Sequence, residues 1–144
     1  MTFVPLHVHS QFSILDSTAS VKGLASQAKK FGLKSLALTD FCNMYGAVDF
    51  FKACSGEGIK PIIGCEMIVA PASRFDKQRI GGRSGGYPII LLAKDEIGYK
   101  NLCKLTSMGF TEGFYYTPRI DKEILQEHSK GLICLAGSYS SLPY

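Results

Sequence analysis

Short apolar runs recur along this chain with helical patterns between them, and that alternation restricts the fold more than any single residue does. The runs cover residues 3–8, 35–39, 61–70, 88–93 and 132–136. Most are nearly continuous rather than alternating in polarity, as in parallel strands covered on both faces. Ser20 is placed to cap a helix that carries Val21, Leu24, Ala28 and Phe31 at helical spacing, with Gly32 as its stop. A second helix is expected over 46–54, ending near Gly56 and Gly58. A third starts at Asp95 and turns Tyr99, Leu102, Cys103 and Leu105 inward; a fourth runs from Asp121 toward Gly131. Residues 109–120 read as irregular. The order β-α-β-α-β-loop-β-α-β predicts an α/β fold of parallel strands joined by right-handed crossovers. Periodicity alone leaves an open sheet and an incomplete barrel as equal alternatives.

Composition narrows the class. The 144 residues are 46% hydrophobic and 19% charged, which fits one globular domain over 1–144. No apolar run reaches the roughly 18–20 residues that would span a bilayer. The opening MTFVPLHVHS has no basic start followed by an apolar stretch, so neither a secretory leader nor a membrane partner is expected. Cysteines 42, 54, 65, 103 and 134 are odd in number and widely spaced, the usage of a reduced cytoplasmic protein. The net charge of +4 has its local excess in Arg74, Lys77, Arg79 and Arg83, beside the glycine-rich GGRSGG. Such a loop reads as a solvated basic segment or as a weak nucleic-acid contact. No aromatics are interleaved with these charges, so no base-stacking platform is expected there.

The residues with chemistry fall at one end of the expected strands. His7 and His9 close the first, Asp40 closes the second, and Glu66 lies within the third. In parallel α/β folds active sites are built on the carboxyl-terminal rim. Histidines two apart on a strand share a face, so one ion can touch both. Asp16 lies in a loop able to fold back over them. Imidazoles with carboxylates suit zinc, manganese or iron. A lone H-x-H is more often incidental, and Asp16 and Asp40 also read as plain turn residues. Glu66 inside IIGCEMIV is harder to dismiss, because a carboxylate in an apolar strand needs a partner.

These residues carry a resemblance. PLHVHSQFSILDS resembles the first motif of the PHP domain, with H-x-H, S-x-x-S/D and an aspartate. LALTDFCNMYGAVDFFKAC, IKPIIGCEMIVAP, LLAKDEIGYKNLCKLTS, GFYYTPRID and GLICLAGS are similar, in order and spacing, to the PHP domain of the bacterial replicative DNA polymerase III alpha subunit. The resemblance implies a PHP-type seven-stranded (β/α) barrel, related to TIM barrels, with metal ions on its carboxyl-terminal rim. It implies the first part of that barrel here, with the later strands and the final metal motif beyond residue 144. In some relatives the domain is a 3′–5′ exonuclease; in others it has lost its metals and docks a separate proofreading exonuclease subunit.

The departures from that pattern bear on the metal. A ligand histidine of the family is Phe41 here, a second is Pro88, and a cysteine is Ser138. Matching positions that remain are His7, His9, Asp16 and Glu66, with Asp40 behind them. No firm cofactor is expected; at most one weakly bound zinc or manganese ion is. The resulting expectation is a structural and docking module within a DNA-directed DNA polymerase, without catalysis of its own. Its expected partners are the remainder of the alpha chain, the proofreading subunit, and DNA through the parent polymerase. The alternatives are a small metal-dependent phosphoesterase or 3′–5′ exonuclease, and a free-standing interaction module.

Overall fold

A computed structural model describes residues 3–77 and 85–136. The elements in order are α1 (Val21–Lys30), β1 (Ser35–Leu38), α2 (Ala47–Glu57), β2 (Lys60–Val69), β3 (Tyr87–Ala93), α3 (Glu96–Thr111), β4 (Arg119–Ile120), α4 (Lys122–Glu127) and β5 (Leu132–Leu135). Three helix starts follow from local chemistry. The side chains of Ser20, Asp95 and Asp121 accept hydrogen bonds from the backbone N–H groups of Gly23, Gly98 and Ile124. Gly58, at φ 70°, closes α2 in the left-handed conformation that a side chain would resist. The irregular stretch expected over 109–120 is shorter than that, because α3 runs on to Thr111 and β4 adds a short strand.

The sheet runs β1-β2-β3-β5, and β4 pairs with β2. β1 and β4 are parallel to β2, whereas β3 is antiparallel to both β2 and β5. The expectation of an all-parallel sheet is corrected here. A continuous apolar run specifies a buried strand but carries no mark of its direction. Among the described residues no helix separates β2 from β3, and the two pair as antiparallel neighbours. β4 meets β2 at Ile68 and Val69, on the edge that β1 leaves after the bridge between Phe41 and Glu66. The first apolar run forms no ladder strand. Residues 3–8 accompany β1 through two backbone bonds only, from Ala37 N–H to the Pro5 carbonyl and from Thr39 N–H to the Val8 carbonyl. Pro5 itself has no N–H to donate.

All four helices lie against one face of this sheet. Leu36 and Leu38 pack with Val21, Ala25, Ala28, Phe50 and Cys54 of α1 and α2. Cys65, Met67, Val69, Ile89 and Leu91 pack with Leu102 and Leu105 of α3 and Ile124 of α4. Ile63 leans on the first cluster and Cys65 belongs to the second, so both clusters share the odd-numbered face of β2. The other face carries Gly64, Glu66 and Ile68, with Pro88, Ile90 and Leu92 across from them on β3. The expectation that both faces would be covered is therefore met on one side by helices and on the other only by loops. Phe31, placed on the buried side of α1 by its spacing, instead caps the helix and is exposed. Cys42, Cys54 and Cys65 are buried, and burial pushes the Cys42 thiol up to about 12 and the Cys54 thiol up to about 11. Cys134 is exposed on β5.

Candidate metal centre and its surroundings

Three of the expected side chains meet on the even-numbered face of β2. His7 and His9 both direct Nε2 at Glu66 Oε2, each at 2.8 Å, and the two Nε2 atoms are 3.3 Å apart. One ligand atom from each of the three lies within 4.8 Å of the others. Two imidazoles around a tetrahedral zinc, at Zn–N distances of about 2.0–2.1 Å, would have their nitrogens about 3.3–3.4 Å apart. The histidine pair thus stands at a separation suited to one ion. The Glu66 oxygen stands closer, at hydrogen-bonding distance, and would have to draw back to make room. The donor set of two nitrogens and a carboxylate fits a single zinc or manganese ion.

The electrostatics of the cluster are those of a mutual ion pair. Burial acts to raise the Glu66 carboxyl, but hydrogen bonds from His9 and His7 outweigh it and hold the group below the usual carboxylate range. The bond to Glu66 raises His9 above its ordinary value; burial opposes this, and the charges of Asp40 and Asp16 add to it. Asp16 reaches the cluster only in that way. It is exposed on the 10–17 loop, next to Leu15, which is fully exposed in a left-handed backbone conformation at φ 74°.

Asp40 does something different from a ligand. It is buried and accepts from Ser10 N–H at 2.6 Å, Ser10 Oγ at 2.7 Å and Ser13 Oγ at 2.6 Å. Ser13 Oγ in turn accepts from Phe41 N–H at 2.9 Å. Beside it, Thr39 Oγ1 accepts from Val8 N–H at 2.9 Å. Gly64 makes room for Thr39: a Cβ on Gly64 would stand 2.9 Å from Thr39 Cγ2 and 2.6 Å from the Leu91 carbonyl oxygen. Phe41, in place of a potential ligand, bridges to Glu66 through the backbone and brings no donor atom. Pro88 pairs with Ile68 on β3, and Ser138 lies outside the described residues.

The basic residues separate into two groups. Arg74 is buried, and its guanidinium meets Glu112 at 2.6 Å, Asp121 at 3.0 Å and Glu123 at 3.1 Å. Lys77 donates to the carbonyls of Glu112 and Phe114, closing the end of α3. Both were expected on a free basic loop and are instead bound into the fold. Arg79 and Arg83 lie outside the described residues. Sequence reasoning missed Arg119, a buried guanidinium that donates to the carbonyls of Gly113, Gly85, Arg74 and Asp76 and thereby ties three segments together. Its only sequence signal was its place before Asp121 in TPRID, next to the fourth helix cap.

The PHP domain family matches residues 5–142, a span that takes in both the histidine pair and Glu66. This chain belongs to the PHP domain family. It is 56% identical over 141 residues to the DNA polymerase III subunit alpha of Chlamydia pneumoniae, covering 98% of this chain and 11% of that protein. It is 53% identical to the subunit of the same name from Treponema pallidum, covering 100% of this chain and 12% of that one. The PHP chain thus spans only about a tenth of the length of these curated relatives. Among solved structures it is similar to a Bifidobacterium adolescentis protein described as a metal-dependent phosphoesterase, at 18% identity and a TM-score of 0.54, over 75% of this chain and 33% of that one. It is also similar to an amidohydrolase from Chromobacterium violaceum, at 23% identity and a TM-score of 0.53, over 74% and 32% of the two chains. These structural likenesses bear on the fold alone. No helix among the described residues is long and apolar enough to cross a membrane.

Proposed function

We propose that this chain is the amino-terminal PHP portion of a DNA polymerase III alpha subunit, where it acts as a structural and docking module with a reduced metal site. The observation that carries this reading is the 56% identity to such a subunit across 98% of the chain. The domain would supply the first part of a PHP-type (β/α) barrel, and the helix-free sheet face supports this: Ile68 and Leu92 are buried there, but Ile90 is only half-buried and Ile133 on β5 remains 46% exposed. Later strands of the parent would close over that face. The remainder of the alpha chain is then its first partner, the proofreading exonuclease subunit a second, and DNA is reached through the parent polymerase in the cytoplasm. Direct DNA contact would fall to Arg79 and Arg83, since Arg74 and Lys77 are already engaged. Two cations release few counterions, so such binding is weak and salt-sensitive.

The metal site supports at most one ion, held by His7, His9 and Glu66 with Asp16 near enough to add charge. A bound ion would supply Lewis-acid polarisation of a phosphate oxygen. The residues themselves orient it: the two imidazoles set its position, and Glu66 balances its charge. The cluster also favours a second reading, a small metal-dependent phosphoesterase or 3′–5′ exonuclease. A 3′-labelled single-stranded oligonucleotide incubated with the chain and manganese or zinc separates the two. Background cleavage is expected, with retention of the proofreading subunit in a pull-down. Cleavage that His9→Ala abolishes would overturn the docking-module reading in favour of the enzyme.

A further inference from the structure

The histidines are held by polar side chains rather than by a sheet ladder. Residues 3–9 belong to no ladder strand, yet each peptide from His7 to Ser10 is pinned. Val8 N–H donates to Thr39 Oγ1 at 2.9 Å, and the Val8 carbonyl accepts from Thr39 N–H at 2.8 Å and from Thr39 Oγ1 at 3.2 Å. The His9 carbonyl accepts from Ser17 Oγ at 3.0 Å, while the next amide, Ser10 N–H, donates to Asp40. Thr39, Asp40, Ser10 and Ser13 are all at most 1% exposed. Among the described residues no buried side-chain nitrogen or oxygen lacks a partner, so this polar interior is fully satisfied. Polar groups placed so deep between a sheet and a loop cost free energy unless paired, and paired they fix one geometry.

We infer that Thr39 and Asp40, with Ser17, form a clamp that presets the two imidazoles, making Thr39 and Asp40 positioning residues for the metal centre. This rests on the reading that His7, His9 and Glu66 hold an ion. Because His7 and His9 flank Val8, fixing the Val8 peptides aims both rings at once. Asp40 then fixes the turn that follows, and Ser13 ties that turn to Phe41 beside Glu66.

The test compares Thr39→Val, which keeps the shape and loses the hydroxyl, with Thr39→Ser, which keeps the hydroxyl. Zinc affinity is measured by calorimetry on the 144-residue chain, and amide hydrogen exchange at Val8 and Ser10 is measured without metal. Loss of an outer-shell partner typically weakens metal binding about 10- to 100-fold, and that is the loss expected for Thr39→Val, with Thr39→Ser close to the parent. Exchange at Val8 and Ser10 should accelerate in Thr39→Val alone. A folded Thr39→Val with parental affinity and parental exchange would overturn the clamp. If the parent chain takes up no zinc, the metal reading fails; the clamp is then upheld by faster exchange in Thr39→Val and overturned by unchanged exchange. Should Thr39→Val not fold, Ser17→Ala frees only the His9 carbonyl and carries the same comparison.

Discussion

The rim around Glu66 and the hub around Arg74 are both charged clusters on one small fold, and they are built to opposite ends. At the hub the buried charges are satisfied within the fold, although Glu123 itself stays 81% exposed. Arg74 faces three carboxylates, Asp121 also caps α4, and Arg119 is saturated by backbone carbonyls. At the rim one carboxylate oxygen serves two imidazoles, and the side chains stay 14–51% exposed. The hub ties distant segments together, whereas the rim pairs its three side chains with one another where solvent still reaches them. A buried ion pair is costly to break but gains little from being there; an open one is cheap to break and can be reused.

The largest expected effect tests that contrast directly. Asp121→Ala removes the most buried of the three carboxylates on Arg74 together with the cap of α4, leaving Glu112 and Glu123 in place, and should lower the unfolding free energy by about 3–4 kcal/mol, read by urea denaturation. Glu66→Ala, measured in the same way, should cost about 1 kcal/mol or less. Equal losses at the two sites would erase the distinction between hub and rim.

Next in size is the response to metal. Zinc at about 100 times its dissociation constant should stabilise the chain by about 2.7 kcal/mol through preferential binding to the folded state. His9→Ala should abolish that gain and Lys77→Met should leave it intact, as followed by thermal melts. Elemental analysis showing two or three tightly held ions would contradict a reduced site.

A smaller effect should appear in pH dependence. His9 is raised above 6.5, so its contribution is complete below that value and fades as pH rises through the folded pKa. Glu66 is lowered below 4.5, so its contribution is complete above that value and is lost as pH falls through the folded pKa. The stability difference between the parent and Glu66→Gln should therefore peak between about pH 4.5 and 6.5, with an amplitude of at most about 1 kcal/mol. The hub has no such upper limit. Asp121 is held below 3.8, burial opposing and Arg74 prevailing, so its contribution is lost only in acid. A stability difference for Glu66→Gln that persists unchanged to pH 9 would show the rim pair to be structural.

The smallest expected effect lies at the edge of the hub. Lys77→Met removes two bonds to carbonyls at the end of α3 and should cost about 0.5 kcal/mol in urea denaturation. A loss of several kcal/mol would extend the buried hub to Lys77.

What could be seen in advance and what could not divide by the distance over which the physics acts. The caps at Ser20, Asp95 and Asp121 were legible because an N-cap joins atoms three residues apart. His7 and His9 were legible as a pair because they are two residues apart, and Glu66 because a carboxylate inside an apolar strand needs a partner to offset its burial. The direction of β3 was not legible, because an apolar run carries no mark of direction and the pairing with β2 is a tertiary contact. The fate of Arg74 was not legible either. In the sequence it is one of four cations beside a glycine-rich loop, and its partner Asp121 lies 47 residues away. By itself, then, the chain determined its helix starts, its apolar strands and its ligand types, all of which follow from local hydrogen bonding and periodicity. Only the tertiary structure decided strand direction, which face the helices cover, and which charges are consumed, because each depends on where distant segments meet.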